Sequence, residues 1–172
     1  MTAIGQDRPG IVAAVSRALL DLEGNIEDSQ MSILRGHFAV MLIVRVPDSV
    51  SSEALADRLG PVREELDLEA ITLNPVSELA AATPRASHVL TVYGADHPGI
   101  VHAVSWTLSE LGVNITDLET RVGGGAESPV YVMQIEVAVG DADPARVEAA
   151  LREVAERERV EVSLRPLEAE AL

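Results

Sequence analysis

The sequence has no cysteine, no lysine and few aromatic residues, which make up 2% of its 172 residues. The absence of cysteine excludes disulfides, thiolate metal sites and cysteine nucleophiles. The longest apolar run, Phe38 to Val44, is much shorter than the roughly 20 residues that cross a bilayer. No basic segment precedes an apolar stretch at the start, as a secretion signal would require. We therefore expect a cytoplasmic protein without membrane contact.

The charge balance is strongly acidic, with 28 Asp and Glu, 13 basic residues that are all arginine, and a net charge of −15. The arginines are scattered, and those near the C-terminus alternate with glutamates, which is typical of a solvated helix face. DNA-binding proteins neutralise phosphates with clustered cations. The composition therefore predicts no direct contact with nucleic acid.

The chain contains an internal repeat with an offset of 89 residues. Residues 5–28, which begin Gly-Gln-Asp-Arg-Pro-Gly-Ile-Val, match residues 94–117, which begin Gly-Ala-Asp-His-Pro-Gly-Ile-Val, at 14 of 24 positions. A weaker echo, three residues out of step, sets Val40-Met41 against Val132-Met133. It predicts a longer hairpin loop in the second copy, with Gly123–Gly125 at its tip.

Each copy has the same pattern of apolar spacing. Helical spacing follows Asp-x-Pro-Gly, whose proline is suited to a first helical position because its missing N–H has no helical partner there. A second helix follows later in each copy, carried by Leu55, Leu59, Val62 and Leu66, or by Val147, Leu151 and Val154. The predicted strands are Met1–Ile4, Asn25–Leu34, His37–Val46 and Leu68–Leu73, then Val89–Tyr93, Asn114–Val122, Val130–Val139 and Val160–Leu164. The order is βαββαβ, twice.

This order predicts an α+β fold of two ferredoxin-like sandwiches in tandem, each with two helices on one face of a four-stranded antiparallel sheet. The predicted boundaries are 1–75 for the first domain, 76–87 for a linker, 88–167 for the second domain and 168–172 for a tail. Open sheets leave unpaired edges, and cores of this size are marginal. We therefore expect the sheets to dock side by side, within one chain or in a homodimer.

The repeated Asp-x-Pro-Gly-Ile-Val with Asn-Ile fifteen residues after the glycine resembles the ACT domain, a small regulatory module that binds amino acids in many metabolic enzymes. Two such domains with no catalytic domain attached resemble the glycine cleavage system transcriptional repressor group. That resemblance implies a non-enzymatic regulator, without a cofactor, that acts through a protein partner rather than by binding DNA.

Amino-acid binding also fits the residues themselves. A helix N-terminus offers free backbone N–H groups to a carboxylate, and glycine there lets a ligand approach closely. A neighbouring Asp accepts from the ammonium, and Asn both donates and accepts. The resemblance implies that effectors sit between paired modules, so one site would combine the turn of one copy with the Asn of the other. The expected ligand-binding residues are Asp7, Gly10, Ile11 and Asn25, with Asp96, Gly99, Ile100 and Asn114.

Structural roles remain open for several of these residues. Asp before a helix often serves as an N-cap, and Asn often follows a helix end for its turn geometry. The two copies also differ at three positions around the turn and first helix, so one site need not bind. These differences are Arg8/His97, Ala13/His102 and Arg17/Trp106.

Other chemistry has little support in the sequence. His97 and His102 lie five apart, off the spacing that aligns two ligands on a helix, and neither His37 nor His88 has an acidic neighbour that suggests a site. We therefore expect no metal. No phosphate-binding Gly-Lys-Ser/Thr or Gly-x-Ser-x-Gly elbow occurs, and we expect no enzyme activity.

The first helix of the second copy carries a candidate partner surface. His102 and Trp106 lie one turn apart and point away from the apolar stripe of that helix, so Trp106 is expected to be exposed. Partial burial under a loop is the alternative.

Three functions follow from this sequence. The first is a regulator that senses glycine or serine and acts through a protein partner. The second is a stand-alone regulatory subunit of an amino-acid or one-carbon metabolic enzyme. The third is a pairing module whose pockets bind no ligand.

Overall fold

A computed structural model describes residues 1–76, 84–123 and 130–167. The chain divides into two compact units at residues 79 and 80. We call residues 1–76 module one, and residues 84–123 with 130–167 module two. The predicted tail, most of the predicted linker and the two later glycines of the Gly123–Gly125 run lie outside the described residues.

Module one forms a four-stranded antiparallel sheet with two helices. Its sheet order is β2-β3-β1-β4, which is the βαββαβ sandwich that the sequence predicts. The elements are β1 Thr2–Gln6, α1 Ile11–Leu20, β2 Asn25–Leu34, β3 His37–Arg45, α2 Ser52–Glu65 and β4 Leu68–Thr72.

Module two repeats this arrangement, with sheet order β6-β7-β5-β8. The tandem ferredoxin-like fold is therefore confirmed. The elements are β5 His88–Ala95, α3 Ile100–Glu110, β6 Asn114–Gly123, β7 Val130–Ala138, α4 Pro144–Glu158 and β8 Val160–Pro166. None of the helices described is long and apolar enough to cross a membrane.

Each module has its own hydrophobic core between the helices and one face of the sheet. In module one, alternate residues of β3 are buried because successive strand residues point to opposite faces. These residues pack with the apolar stripe of α1, which recurs at helical spacing. The buried set includes Phe38, Val40, Leu42, Ile11, Val15, Leu19, Leu59 and Val62. Module two buries the corresponding set, including Tyr131, Met133, Ile135, Ile100, Val104, Leu108, Leu151 and Val154.

The first helix of each module begins later than the sequence suggests. Helix α1 begins at Ile11 and has Gly10 as N-cap, with φ 100°, and α3 has Gly99 as N-cap, with φ 108°. The prediction that proline takes the first helical position is therefore wrong, because Pro9 precedes the cap. Glycine sets this geometry because a positive φ carries little penalty without a Cβ.

The register of the repeat also differs from the sequence alignment. Ala3 pairs with Val40, and the residue 89 positions after Ala3 pairs with Met133. Val40 therefore corresponds to Met133 rather than to Val132, and both are buried. An error of one residue matters because it moves every side chain of a strand to the other face.

The longer hairpin connection of the second copy is confirmed, but by four residues rather than three. Module one joins β2 to β3 through two residues with positive φ, Arg35 at 51° and Gly36 at 84°. In module two, the strands end at Gly123 and resume at Val130.

Candidate functional site

The β1–α1 turn of module one presents unpaired helix donors beside an exposed carboxylate. No side chain caps Gly10, and the first helical bond runs from the N–H of Ala14 to the Gly10 carbonyl, at 2.9 Å. The N-capping role weighed for Asp7 is therefore wrong. Asp7 is exposed, and its backbone N–H donates to the Gly36 carbonyl at 2.8 Å. A Cβ added at Gly10 would meet no atom within 4 Å, so the backbone there is open to a ligand.

The corresponding turn of module two is more enclosed. Its Gly99 N-cap again receives no side-chain bond, so Asp96 is not a cap either, and Asp96 is exposed. A Cβ on Gly99 would lie 4.0 Å from a carboxylate oxygen of Glu158. The Glu158 backbone also contacts His97, whose Nε2 is 2.7 Å from the Glu158 carbonyl.

His97 is held between two acceptors. Its Nδ1 lies 3.1 Å from the Pro98 carbonyl, and its Nε2 faces the Glu158 carbonyl. A carbonyl oxygen only accepts, so both bonds form when both ring nitrogens carry a proton. The bonds to the Pro98 and Glu158 carbonyls therefore raise the pKa of His97. Burial opposes them, and the carboxylates of Glu158 and Asp96 add to the rise.

Module one makes the equivalent link with different groups. Arg8, the counterpart of His97, places Nη2 3.7 Å from a carboxylate oxygen of Asp67. Asp67 begins the turn into the last strand with φ 51°, as Arg159 does in module two with φ 55°. Each turn is thus linked to the segment where the second helix of its module gives way to the last strand, by an ion pair in one copy and by an imidazole in the other.

The two asparagines lie at the far end of their sheets. Asn25 and Asn114 are the first residues of β2 and β6, and both are exposed. In module one, Gln6 pairs with His37, whereas Asn25 pairs with Arg45. Eight residues along β3 span about 26 Å, so the fold does not bring Asp7 and Asn25 of one module together. That the Asn of another module completes each site stays a prediction.

A charged pair that sequence reasoning missed lies at this same end of module one. Glu27 occupies a register shift between Ile26 and Asp28 and accepts a hydrogen bond from Nε of Arg45 at 2.5 Å. The bond to Glu27 raises the pKa of the Arg45 guanidinium. The two side chains line a cavity of about 360 Å³. Nothing in the sequence marks the bulge that selects Glu27.

The prediction that Trp106 is exposed is confirmed, since 60% of its surface is accessible. His102 is also exposed, and the two rings lie 6.1 Å apart between centroids. The role of this pair as a partner surface stays a prediction.

The corresponding position of module one carries an ion network instead. Arg17, the counterpart of Trp106, and Arg58 both contact Asp21. The hydrogen bond from Arg58, together with the Arg17 charge, lowers the pKa of Asp21 and outweighs the effect of burial. The same place on the two modules is therefore polar in one and aromatic in the other.

The remaining histidines and acids were candidates for a metal site. Among the described residues, no group of three or more metal-ligating side chains comes together. Glu69 lies 3.8 Å from Nδ1 of His37, which gives His37 a single acidic neighbour, and the absence of a metal site there stays a prediction. The partner is brought by a neighbouring part of the module, which sequence spacing does not reveal.

Comparison with known proteins shows which protein family the chain belongs to. A family model described as the ACT domain matches residues 1–74 and again residues 88–165. The chain therefore belongs to the ACT domain family, with two copies in tandem.

Several relatives and solved structures match most of this chain and show which members of the family it resembles. The glycine cleavage system transcriptional repressor of Escherichia coli is 26% identical over 156 residues, which cover 88% of this chain and 80% of the repressor. A phosphoserine phosphatase of Mycobacterium tuberculosis is 24% identical over 166 residues, which cover 95% of this chain but 39% of that enzyme. A crystal structure of an unknown protein from Galdieria sulphuraria shares 28% identity with a TM-score of 0.75, covering 97% of this chain and 96% of the other. The predicted resemblance to the glycine cleavage repressor group is confirmed.

Proposed function

We propose that this protein is a non-enzymatic regulator that senses a small amino acid, glycine or serine, and acts in the cytoplasm through a protein partner. The ligand binds at a β1–α1 turn, with Asp7, Gly10 and Ile11 or their counterparts Asp96, Gly99 and Ile100. An asparagine of a paired module, Asn25 or Asn114, completes each site. We take this pairing of modules from the resemblance to the ACT domain. The proposed function requires no metal and no cofactor.

One observation carries this proposal. The N-cap of helix α1 is Gly10, which receives no side-chain hydrogen bond and is open on its Cα side, and the exposed Asp7 lies three residues before it. The first N–H groups of a helix attract a carboxylate, both as donors and through the helix dipole. The Asp7 carboxylate supplies the opposite charge for an ammonium group. A free amino acid carries both groups on one carbon, which matches this spacing of charges.

The size of the ligand limits the affinity. The best small ligands gain at most about 1.5 kcal/mol per non-hydrogen atom. Glycine, with so few atoms, therefore cannot bind much more tightly than roughly micromolar. A site of this strength senses an abundant metabolite rather than a trace one.

The relatives support regulation and suggest the kind of partner. The similarity to the Escherichia coli glycine cleavage repressor covers most of both chains. This favours control of transcription, and the net charge of −15 favours control through a protein rather than through direct DNA contact.

A second function has its own support. The phosphoserine phosphatase of Mycobacterium tuberculosis matches nearly the whole of this chain within 39% of its own length. Tandem modules of this kind thus also occur within an enzyme whose name refers to serine metabolism. The alternative function is a separate regulatory subunit that controls such an enzyme in trans.

The ligand hypothesis is tested by a thermal-shift screen of the full chain against the twenty amino acids. We expect glycine or serine to raise the melting temperature of the wild type. Asp7→Ala and Asp96→Ala identify which turn binds, because removal of the acid at a working site abolishes the shift. Asp57→Ala, which removes an exposed acid of α2 that belongs to neither turn, is the matched control and should retain it. If no amino acid raises the melting temperature of the wild type, the hypothesis of a pairing module that binds no ligand replaces the hypothesis of an amino-acid sensor.

The choice between the two regulatory roles needs the partner. Affinity capture from the native lysate, with and without the ligand, returns a transcription factor under the first function. It returns a metabolic enzyme under the second.

A further inference from the structure

The cavity beside Glu27 and Arg45 lies at one end of module one, where β3 ends, α2 begins and β4 leads out of the sheet. It has a volume of about 360 Å³, which falls within the range of about 300 to 1,000 Å³ typical of small-molecule sites. Strand register sets this end of β3 eight residues from the β1–α1 turn. The cavity is therefore separate from the turn of module one.

The cavity combines an aliphatic wall with a pair of opposite charges at one side. The wall includes Leu42, Val44, Leu55 and Leu73, of which the last three are only partly buried although they pack against the core. Apolar surface that remains accessible there gains free energy when a ligand covers it, by about 25 cal/mol per Å².

The charged side is set by the bulge of β2. Glu27 is the extra residue of the bulge, and a single bond joins its Oε1 to Nε of Arg45. A guanidinium has five N–H donors, so Arg45 retains donors for a second carboxylate. Glu27 likewise keeps a second carboxylate oxygen for a cation. Opposite charges beside an aliphatic wall match a molecule that has a zwitterionic head and an aliphatic body.

We propose that this cavity is a second ligand site, which binds a free α-amino acid with an aliphatic side chain. The ligand carboxylate bonds to the Arg45 guanidinium, the ammonium bonds to Glu27, and the side chain lies against Leu42, Val44 and Leu55. The site belongs to module one and does not depend on binding at the β1–α1 turns.

Module two supplies an internal contrast. Its bulge carries Thr116, whose hydroxyl donates to the Glu136 carbonyl at 3.1 Å, and Ala138 stands where module one has Arg45. Ser87 also bonds there, with its hydroxyl accepting from the N–H of Val139 at 3.1 Å. Within the described part of module two, the positions equivalent to Glu27 and Arg45 thus carry no pair of charges, and we assign the aliphatic site to module one alone.

The test is a calorimetric titration of the full chain with L-leucine. We expect saturable binding of one leucine per chain. Two analogues, 4-methylpentanoate without the ammonium and 3-methylbutylamine without the carboxylate, each lose one charge contact and should bind at least about tenfold more weakly. Glycine lacks the aliphatic body and should not displace leucine.

Three variants then locate the site. Arg45→Gln and Glu27→Gln should each weaken leucine binding by at least about tenfold, because each removes a charge-assisted contact. Arg121→Gln is the matched control, since Arg121 pairs with Glu119 on an exposed strand of module two. The affinity of this variant for leucine should stay within about twofold of wild type.

Several results would overturn this site. They are the absence of saturable leucine binding, binding of either analogue as tightly as leucine, or unchanged affinity for leucine in both Arg45→Gln and Glu27→Gln. Asp7→Ala and Asp96→Ala separate the two proposals, because they abolish the glycine or serine response and leave leucine binding intact. Leucine binding that is lost in these variants instead would assign it to the turns.

Discussion

At the residue scale, two glycines of module one predict different costs of replacement by alanine. Gly10 has φ 100° and Gly60 lies inside α2, and a Cβ at either position would meet no atom within 4 Å beyond its chain neighbours. Tertiary contacts are therefore matched, and the local backbone decides. Gly10→Ala should destabilise the protein by about 1 to 3 kcal/mol because alanine is strained in the left-handed region. Gly60→Ala should change stability by no more than about 0.5 kcal/mol, since the higher helix propensity of alanine is offset by the crowding of its Cβ against the following Pro61. Urea denaturation of both variants measures the difference, and a neutral Gly10→Ala would contradict the assigned turn.

His97 predicts a pH dependence of stability. Its pKa is raised in the folded protein, so its contribution to stability is complete below the unfolded pKa of about 6.5 and is lost as pH rises through the higher folded value. Melting temperatures of wild type and His97→Asn, measured between about pH 5.5 and 8.5, should therefore differ most at acid pH and converge above neutrality.

The control for this experiment is His102→Asn, because His102 is exposed on α3 and takes no part in the two carbonyl bonds of His97. That variant should keep the pH profile of the wild type. An identical profile for His97→Asn would show that the two carbonyl bonds do not hold the imidazolium.

At the element scale, the outer face of α3 predicts a contact surface. Trp106 is 60% exposed and lies beside His102. Trp106→Ala should reduce capture of the protein partner, or self-association, while the free energy of unfolding changes by no more than about 0.5 kcal/mol.

The matched control is Leu20→Ala on α1, since Leu20 is 62% exposed but belongs to the other module. It should leave partner capture unchanged. A large loss of thermal stability in Trp106→Ala at unchanged association would assign the tryptophan a structural role.

Most of the element order could be predicted from sequence because each element repeats its spacing in both copies. The helical period of Ile11, Val15 and Leu19 selects the residues that α1 buries, and the repeat doubles the evidence. Helix α2 continues through Gly60 and Pro61, which are both weak helix formers, because its buried Leu59 and Val62 hold it against the core.

The details of the candidate site could not be predicted in the same way. The positive φ of Gly10 sets where α1 begins and leaves Asp7 without a capping role, and sequence spacing does not report dihedral angles. Nor does it report the bulge that presents Glu27 or the contact between His37 and Glu69. Each of these features depends on which strand residues pair and which side chains meet in the folded module. Aligning the two copies predicts such pairings only where the copies have equal length.

At the scale of the whole molecule, the net charge predicts that the protein does not bind nucleic acid. The net charge is −15, so phosphates are repelled and few counterions would be released on contact. Electrophoretic mobility shift with random-sequence duplex DNA at physiological salt should show no complex. A sub-micromolar shift would contradict this prediction and favour a direct role at an operator.

The chain carries a single tryptophan, and it lies on the solvent side of module two. Intrinsic fluorescence excited at the red edge of the absorption spectrum therefore comes from module two and carries no signal from module one. Solvent exposure also makes the emission sensitive to anything that covers α3. A titration monitored by fluorescence thus follows events at the outer face of module two without any label, and calorimetry of the same sample adds the events in module one.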